Sequence, residues 1–198
     1  MLGGLNGTVG LELPADGLSD GVVRLRRWTP SDVDHLTEVI SGDREISRWT
    51  RIPWPYTRDL AEEWIAGDAT RFDGGTDVTL AITSAGDGRL LGSIGLHRIG
   101  ARPEPGSALF PDELGYWLTR DARGRGTCTR AGRLLITWAF ETIELERVEA
   151  STVVGNDASR RVLDRLGFRA AGQVDGLDDD PRRLHHFVLD RGSFTLSS

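Results

Sequence analysis

The chain has 198 residues and a formal charge of −6 at pH 7. This length suits one domain, because domains usually run to roughly 100–150 residues. No apolar run approaches the roughly 20 residues that a membrane helix needs. A general nucleic-acid binder carries a basic face, which the net negative charge argues against. We therefore expect one domain that binds neither nucleic acid nor membrane.

The ends of the chain differ in character from its centre. Residues 1–20 are rich in glycine and acidic residues and lack the basic start and apolar stretch of a secretory signal. We predict a loose leader over residues 1–20, one domain over residues 21–192 and a tail over residues 193–198. The single cysteine, Cys128, excludes an internal disulfide and fits a reducing compartment. Together these features predict a cytoplasmic protein.

Lysine is missing from the sequence, so all 24 basic side chains are arginine. A phosphate-binding P-loop requires a lysine, and a pyridoxal enzyme requires one for its Schiff base. The composition therefore excludes both classes.

The first half of the chain predicts one strand and two helices. Alternating residues over 22–26 predict the strand, and Thr29-Pro30-Ser31-Asp32 then predicts a helix start. Pro53 and Pro55 interrupt the next segment, and a second amphipathic helix follows over residues 57–72. Two helices are thus joined by a loop that carries Trp49, Trp54 and Tyr56.

The second half predicts further strands and two helices. A turn signal over residues 85–88 joins two apolar strands into a hairpin. The last helix has Asn156 as its cap and Gly167 as its stop. The predicted strands are residues 77–83, 90–99, 113–118 and 147–154, with a closing pair near 173–174 and 184–189.

A glycine turn, Arg123-Gly124-Arg125-Gly126, stands between a predicted strand and a helix. Such a turn lets the N–H groups of a helix start point outward together and bind an anion. The dinucleotide fingerprint needs a third glycine where Thr129 stands, and the P-loop is already excluded. A coenzyme A pyrophosphate site and a plain turn remain open on this evidence.

Two motifs together resemble the GCN5-related N-acetyltransferase (GNAT) family, in particular its branch that acetylates ribosomal-protein N-termini. The family's signature has Gln or Arg, two residues, Gly, one residue, then Gly or Ala; Arg123, Gly126 and Cys128 hold those places, and Cys128 departs from the pattern. Residues 113–118 resemble the strand that carries the pantetheine arm, and residues 156–168, which begin Asn-Asp-Ala-Ser, resemble the second hallmark.

The resemblance covers roughly residues 22–189 and implies an α/β (α+β) fold. It implies a single domain with a central mixed, mostly antiparallel sheet flanked by helices. It also implies direct transfer of an acetyl group from acetyl-CoA to a primary amine, without an acyl-enzyme.

The resemblance also supplies candidate site residues. The amine must lose a proton near neutral pH, and Glu113 is the candidate base. Ser159 is the candidate group that binds the departing sulfur. Glu113 and the aromatic residues Trp49, Trp54 and Tyr56 are expected to shape the acceptor pocket. The expected coenzyme-binding residues are Trp117, Leu118, Arg123, Gly124, Arg125, Gly126, Thr127, Cys128, Asn156 and Ser159.

Each candidate also has a purely structural interpretation. Glu113 could be an ordinary exposed carboxylate, and Ser159 and Asn156 could serve only the start of a helix. One of the two arginines at the turn is expected to be merely solvated, and Arg123 is preferred for phosphate. Cys128 is interpreted as a small packing residue rather than a nucleophile. His185 and His186 are strand neighbours that face opposite ways, so no metal is assigned.

Three functions remain open at this stage. The first is an N-acetyltransferase acting on a protein N-terminus or a small amine, for which the negative charge mildly favours a cationic acceptor. The second is an antibiotic- or metabolite-acetylating enzyme of the same fold. The third is a sensor that binds acyl-CoA without catalysis. The sequence leaves the oligomeric state open, a homodimer included.

Overall fold

The computed structural model describes residues 11–102, 108–176 and 180–195. Eight strands form one sheet in the order β1-β2-β3-β4-β5-β6-β8-β7, and every neighbouring pair is antiparallel except β5 with β6. The strands are β1 Leu18–Ser19, β2 Val23–Arg27, β3 Val78–Ser84, β4 Leu90–His97, β5 Glu113–Leu118, β6 Arg147–Val153, β7 Arg169–Val174 and β8 Leu184–Asp190. The helices are α1 Val33–Gly42, α2 Arg44–Trp49, α3 Arg58–Asp73, α4 Thr127–Glu141 and α5 Asp157–Leu166.

Helices cover both faces of the sheet. Strand side chains alternate, so that Leu80, Ile94 and Leu114 join the apolar cluster that contains α4 and α5. Ala81 and the partly buried Trp117 join a second cluster with α1, α2 and α3 on the opposite face. This arrangement confirms the predicted mixed, mostly antiparallel sheet flanked by helices.

Strands β5 and β6 separate soon after they meet. They pair only at Glu113 with Glu149 and at Leu114 with Ala150. Beyond these positions β5 continues beside β4, while β6 continues beside β8. A gap therefore opens in the middle of the sheet from Gly115 onward, and this gap positions the site described below.

The prediction of a loose leader is wrong for residues 11–20. Leu11 is buried, and the backbone oxygen of Glu12 accepts a hydrogen bond from Trp138 Nε1 at 2.9 Å. Leu18–Ser19 adds a short strand to the edge of the sheet. Residues 1–10 lie outside the described residues, as do residues 196–198 of the predicted tail.

The first predicted helix is two helices, because the chain turns at Asp43. Asp43 has an extended backbone (φ −139°), and its side chain caps α2 by accepting a hydrogen bond from the N–H of Glu45 in the first turn of that helix. The second predicted helix, the hairpin and the closing strand pair are confirmed by α3, by β3 with β4 and by β7 with β8. Within the described part of the chain, no helix combines the length and apolar character needed to cross a bilayer.

Candidate active site

A cleft of about 1150 Å³ lies over the gap between β5 and β6. The segment from α2 to α3 forms one wall, the start of α5 forms another, and β3, β4 and β5 form the floor. The cleft runs from the glycine turn at Gly124 and Gly126 to the polar end of the β3–β4 hairpin at Asp77 and His97. It therefore connects the predicted anion site with a cluster of titratable side chains.

The glycine turn has the geometry of an anion site. Gly124 (φ 72°) and Gly126 (φ 77°) both adopt the left-handed conformation that glycine tolerates best. Among the described residues, no side chain caps the start of α4 at Gly126, whereas Thr57 caps α3 and Asn156 caps α5. The first-turn N–H groups of α4 are thus open to an acceptor from outside the helix, and Thr127 and Cys128 line the cleft beside them.

The two arginines of the turn have different surroundings. Arg123 donates to the backbone oxygen of Leu118 at 2.9 Å and to the buried carboxylate of Asp43 at 2.7 Å. It thereby ties the end of β5 to the start of α2. Arg125 is exposed, and within the described ranges it makes no ion pair. The preference for Arg123 as the phosphate ligand therefore gains no support, because its guanidinium is already engaged.

Cys128 is buried at the start of α4. Burial raises the pKa of its thiol far above the usual value, so the thiol stays protonated at neutral pH. These surroundings support the interpretation of Cys128 as a packing residue.

Glu113 lies in the cleft, and only 9% of its surface is exposed. One carboxylate oxygen accepts a hydrogen bond from the guanidinium of Arg98, and the other accepts one from the hydroxyl of Ser151. Glu113 is therefore mostly buried, unlike the ordinary exposed carboxylate that a purely structural interpretation expects. Both of its oxygens are occupied by protein donors.

Ser159 faces the same cleft from the first turn of α5. Its N–H donates to Asn156 Oδ1 at 3.1 Å, and its hydroxyl oxygen lies 2.8 Å from Tyr116 Oη. Burial, together with the nearby Cys128, raises the pKa of Tyr116 well above 10, although its hydrogen bond with Ser159 acts in the opposite direction. Tyr116, which the sequence analysis did not select, therefore stays a neutral phenol that orients Ser159.

The aromatic loop contributes only part of the expected acceptor wall. Trp49 and Tyr56 line the cleft, although Trp49 is the last residue of α2 and not part of the loop. Burial raises the pKa of Tyr56 to about 12. Trp54 is 42% exposed and instead lines a separate pocket of about 500 Å³ beside Arg44 and Arg48. The structure therefore does not bring Trp54 together with the other predicted acceptor residues.

The sequence analysis missed the pair formed by His97 and Asp77. His97 Nδ1 lies 3.0 Å from Asp77 Oδ1, and both side chains line the cleft. Val78 pairs with Leu96, so the next position outward places Asp77 opposite His97, in a register that includes a shift between Ile82 and Thr83 that the sequence analysis did not predict. Among the described residues, no group of three or more His, Cys, Asp or Glu side chains is placed to hold a metal ion.

The sequence is similar to known acetyltransferases. Residues 23–169 match the family described as the acetyltransferase (GNAT) domain. The Bacillus subtilis (strain 168) protein named "Putative ribosomal N-acetyltransferase YdaF" is 34% identical over 161 residues, which cover 78% of this chain and 82% of that protein. YjcK of the same organism, named "Probable N-acetyltransferase", is 32% identical over 117 residues, covering 59% of this chain and 62% of that protein.

Solved structures have the same fold. A crystal structure named "Probable acetyltransferase" superposes with a TM-score of 0.74 at 29% identity and covers 87% of this chain and 95% of that one. Mycobacterium smegmatis RimJ, solved in complex with CoA-disulfide, has a TM-score of 0.72 at 21% identity, covering 88% of this chain and 84% of that one. The family match, the sequence relatives and the shared fold agree with the separated strands and the glycine turn, and the chain therefore belongs to the GNAT family of acetyltransferases.

Proposed function

We propose that this acetyltransferase binds acetyl-CoA in the cleft and transfers the acetyl group directly to a primary amine at a protein N-terminus. The observation that carries the proposal is the gap between β5 and β6, together with the start of α4, which no described side chain caps. A pyrophosphate is an anion that a helix start can bind, and an extended arm can occupy the gap between two separated strands.

The residues present fit the coenzyme. Gly124, Gly126 and the first-turn N–H groups of α4 would hold the pyrophosphate, with the exposed Arg125 as an additional cation. The pantetheine arm would run back along β5 from Leu118 past Trp117 to Gly115, a path of roughly 10 Å at about 3.3 Å per residue. Asn156 would line the path from the side of α5. This course brings the thioester to the mouth of the gap, near Gly115.

The departing sulfur would meet Ser159. Tyr116 Oη lies within hydrogen-bonding distance of both the backbone oxygen of Ser159 (3.2 Å) and its hydroxyl (2.8 Å). When the phenol donates to the Ser159 hydroxyl oxygen, the Ser159 proton is free to point into the cleft. Ser159 would then donate a hydrogen bond to the thiolate as the carbon–sulfur bond breaks.

The acceptor would enter on the other side, between the floor of the cleft and the wall that carries Trp49 and Tyr56. The 34% identity to YdaF, a protein named for a ribosomal N-acetyltransferase activity, supports a protein N-terminus as the acceptor. The size of the cleft, about 1150 Å³, supports an acceptor as large as the end of a peptide in addition to the coenzyme arm. We place this activity in the cytoplasm, where newly made ribosomal proteins are found.

The proposal is tested by measuring thiol release from acetyl-CoA with a panel of N-terminal peptides, polyamines and aminoglycosides. We expect release with N-terminal peptides, and a large loss in Glu113→Gln and Ser159→Ala without loss of coenzyme binding. Release only with aminoglycosides or polyamines would reassign the acceptor to small molecules. Tight coenzyme binding without release from any amine would contradict catalysis and favour a sensor.

A further inference from the structure

His97 lies at the polar end of the β3–β4 hairpin, and its imidazole has no role in the reaction proposed above. His97 is the last residue of β4, and its register partner on β5 is Glu113. The β5 positions Glu113 and Gly115 face the same side of the sheet as His97, the side that carries α3. His97 therefore stands on the floor of the cleft, where β5 begins to leave β6.

The free edge of the imidazole lies over the mouth of the gap. A Cβ atom built on Gly115 would stand 3.3 Å from His97 Nε2 and 3.4 Å from Cδ2. Gly115 is the first β5 residue beyond the last position paired with β6. His97 Nε2 is thus directed to the place where the proposed course of the coenzyme arm ends.

Asp77 determines which ring nitrogen carries the proton. The Asp77 side chain is mostly buried, and its Oδ1 lies 3.0 Å from His97 Nδ1. Burial alone would raise the pKa of Asp77, but hydrogen bonds from His97 and Thr76 and the charges of His97 and Arg71 lower it below its usual 3.8. An ionised carboxylate only accepts hydrogen bonds, so Nδ1 donates to it, and in the neutral imidazole this leaves the lone pair on Nε2.

The neighbouring charges leave Nε2 available. Glu113 is engaged by Arg98 and Ser151, and Arg98 in turn by Glu113 and by the backbone oxygen of Phe110. From α3, Asp68 is buried with a raised pKa, and Arg71 lies 3.9 Å from its carboxylate. The charged groups near His97 include Asp77, Glu113, Arg98, Asp68 and Arg71, and none of these five forms a hydrogen bond with Nε2.

We propose that His97, oriented by Asp77, is the general base that accepts the proton of the attacking amine. Glu113 then serves as a positioning residue that holds Arg98 and Ser151 at the floor of the cleft. This inference rests on the proposed acetyl transfer and names the group that removes the proton in it.

The amine nitrogen bonds to the thioester carbon while the carbonyl π bond opens to an oxyanion, and the amine proton passes to His97 Nε2, which makes an imidazolium that the Asp77 carboxylate stabilises. The carbonyl bond then re-forms as the carbon–sulfur bond breaks, and the electron pair of the broken bond leaves with sulfur as the thiolate. His97 returns its proton to solvent, and the thiolate takes one up to become the free thiol.

The test compares His97→Gln, Asp77→Asn and Glu113→Gln with the matched control His35→Gln, which alters an exposed histidine on α1. We expect His97→Gln to lower kcat by about 10²–10⁴-fold and to remove the acid limb of the pH–rate profile. Coenzyme affinity should stay within about threefold in every variant, because none of these side chains lies at the glycine turn. Asp77→Asn should lower kcat by about tenfold or more, since an amide can leave Nδ1 without its acceptor.

A second measurement is independent of activity. The chain has four histidines, so nitrogen-edited NMR of the imidazole rings can be assigned by the signal lost in His97→Gln. We expect wild-type His97 to carry its proton on Nδ1, and Asp77→Asn to change that state.

Three results would overturn the inference. They are a neutral His97 protonated on Nε2, a His97→Gln enzyme that keeps at least half of the wild-type kcat, or an acid limb that disappears in Glu113→Gln but persists in His97→Gln. In each case a wild-type enzyme that still acetylates peptides leaves the proposed function standing. A wild-type protein that releases no thiol with any amine contradicts both proposals together.

Discussion

The phenol oxygen of Tyr116 lies 2.8 Å from the hydroxyl oxygen of Ser159, so one hydrogen bond joins β5 to the first turn of α5. The bond crosses the face of the sheet opposite His97, because Tyr116 and Gly115 are strand neighbours whose side chains point to opposite faces. The proposed course of the thioester therefore runs between a hydroxyl pair on one side and an imidazole on the other.

Removing the Ser159 hydroxyl should slow the departure of the thiolate. A hydrogen bond to a charged group contributes about 1.5–3 kcal/mol, which corresponds to roughly a 10–150-fold loss of kcat in Ser159→Ala. Tyr116→Phe should have a smaller effect, because Ser159 remains. Steady-state kinetics with acetyl-CoA and the best peptide measure both, and Ser41→Ala on the exposed end of α1 is the control.

The raised pKa of Tyr116 gives this prediction a pH dependence. A group whose pKa lies well above 10 keeps its proton throughout the neutral and mildly alkaline range. We therefore expect the ratio of wild-type to Tyr116→Phe kcat to stay constant from about pH 7 to pH 9.5. A ratio that falls towards one across this range would show that the phenol ionises, and would contradict its role as a neutral donor.

Substitution of the two arginines of the glycine turn should have different effects, one on coenzyme binding and the other on the free energy of unfolding. Arg125→Ala should raise the Kd of coenzyme A several-fold and leave the free energy of unfolding unchanged, since its guanidinium is unpaired among the described residues. Arg123→Ala should lower the free energy of unfolding by about 1 kcal/mol, because the buried Asp43 loses its close partner. Titration calorimetry and urea unfolding measure the two effects, with the exposed Arg102→Ala as control. Identical effects of both variants on coenzyme binding would contradict the distinction.

Cys128 should be chemically silent in the folded protein. Its thiol is buried and its pKa is raised, so a thiol reagent should label it only at the rate at which the protein opens. Cys128→Ala should keep kcat within about twofold, because alanine also fits the small position in the signature. Rapid labelling of the native protein, or a large loss of turnover in the variant, would contradict this account.

The two facing glycines of β4 and β5 should respond differently to an added methyl group. On Gly115 the new Cβ would contact, among the described residues, the edge of the His97 ring alone, at 3.3 Å, whereas on Gly95 it would meet the backbone oxygen of Val78 at 2.6 Å. We expect Gly115→Ala to lower kcat while the protein stays folded, and Gly95→Ala to destabilise it by about 1–3 kcal/mol. Gly42→Ala, whose Cβ would meet nothing within 4 Å, is the control. Full activity of the Gly115→Ala enzyme would contradict the proposal that the thioester reacts near Gly115, beside His97.

Much of the fold could be predicted from the sequence, because its elements carry local signals. The alternation over 113–118, the glycines at 124 and 126 and the cap at Asn156 each specify structure within a few residues. The two features that the sequence did not predict have weak local signals. The turn at Asp43 depends on a single capping side chain, and the strand at Leu18–Ser19 is too short to show alternation.

The candidate site was less predictable, because its side chains take their roles from distant partners. Arg123 matched the phosphate signature, yet its partner Asp43 is 80 residues earlier in the sequence. Glu113 was selected without its partners Arg98 and Ser151, which come from other elements. The pairing of Asp77 with His97 depends on the register shift between Ile82 and Thr83, because the hairpin turn alone would place Asp77 opposite Leu96.

The measurement that tests the central claim most directly is mass spectrometry of the acceptor after incubation with isotopically labelled acetyl-CoA. The account predicts that N-terminal peptides gain one labelled acetyl group on the terminal amine, that His97→Gln slows this gain strongly, and that His35→Gln does not. Unmodified peptides and amines in the presence of tightly bound coenzyme would contradict it.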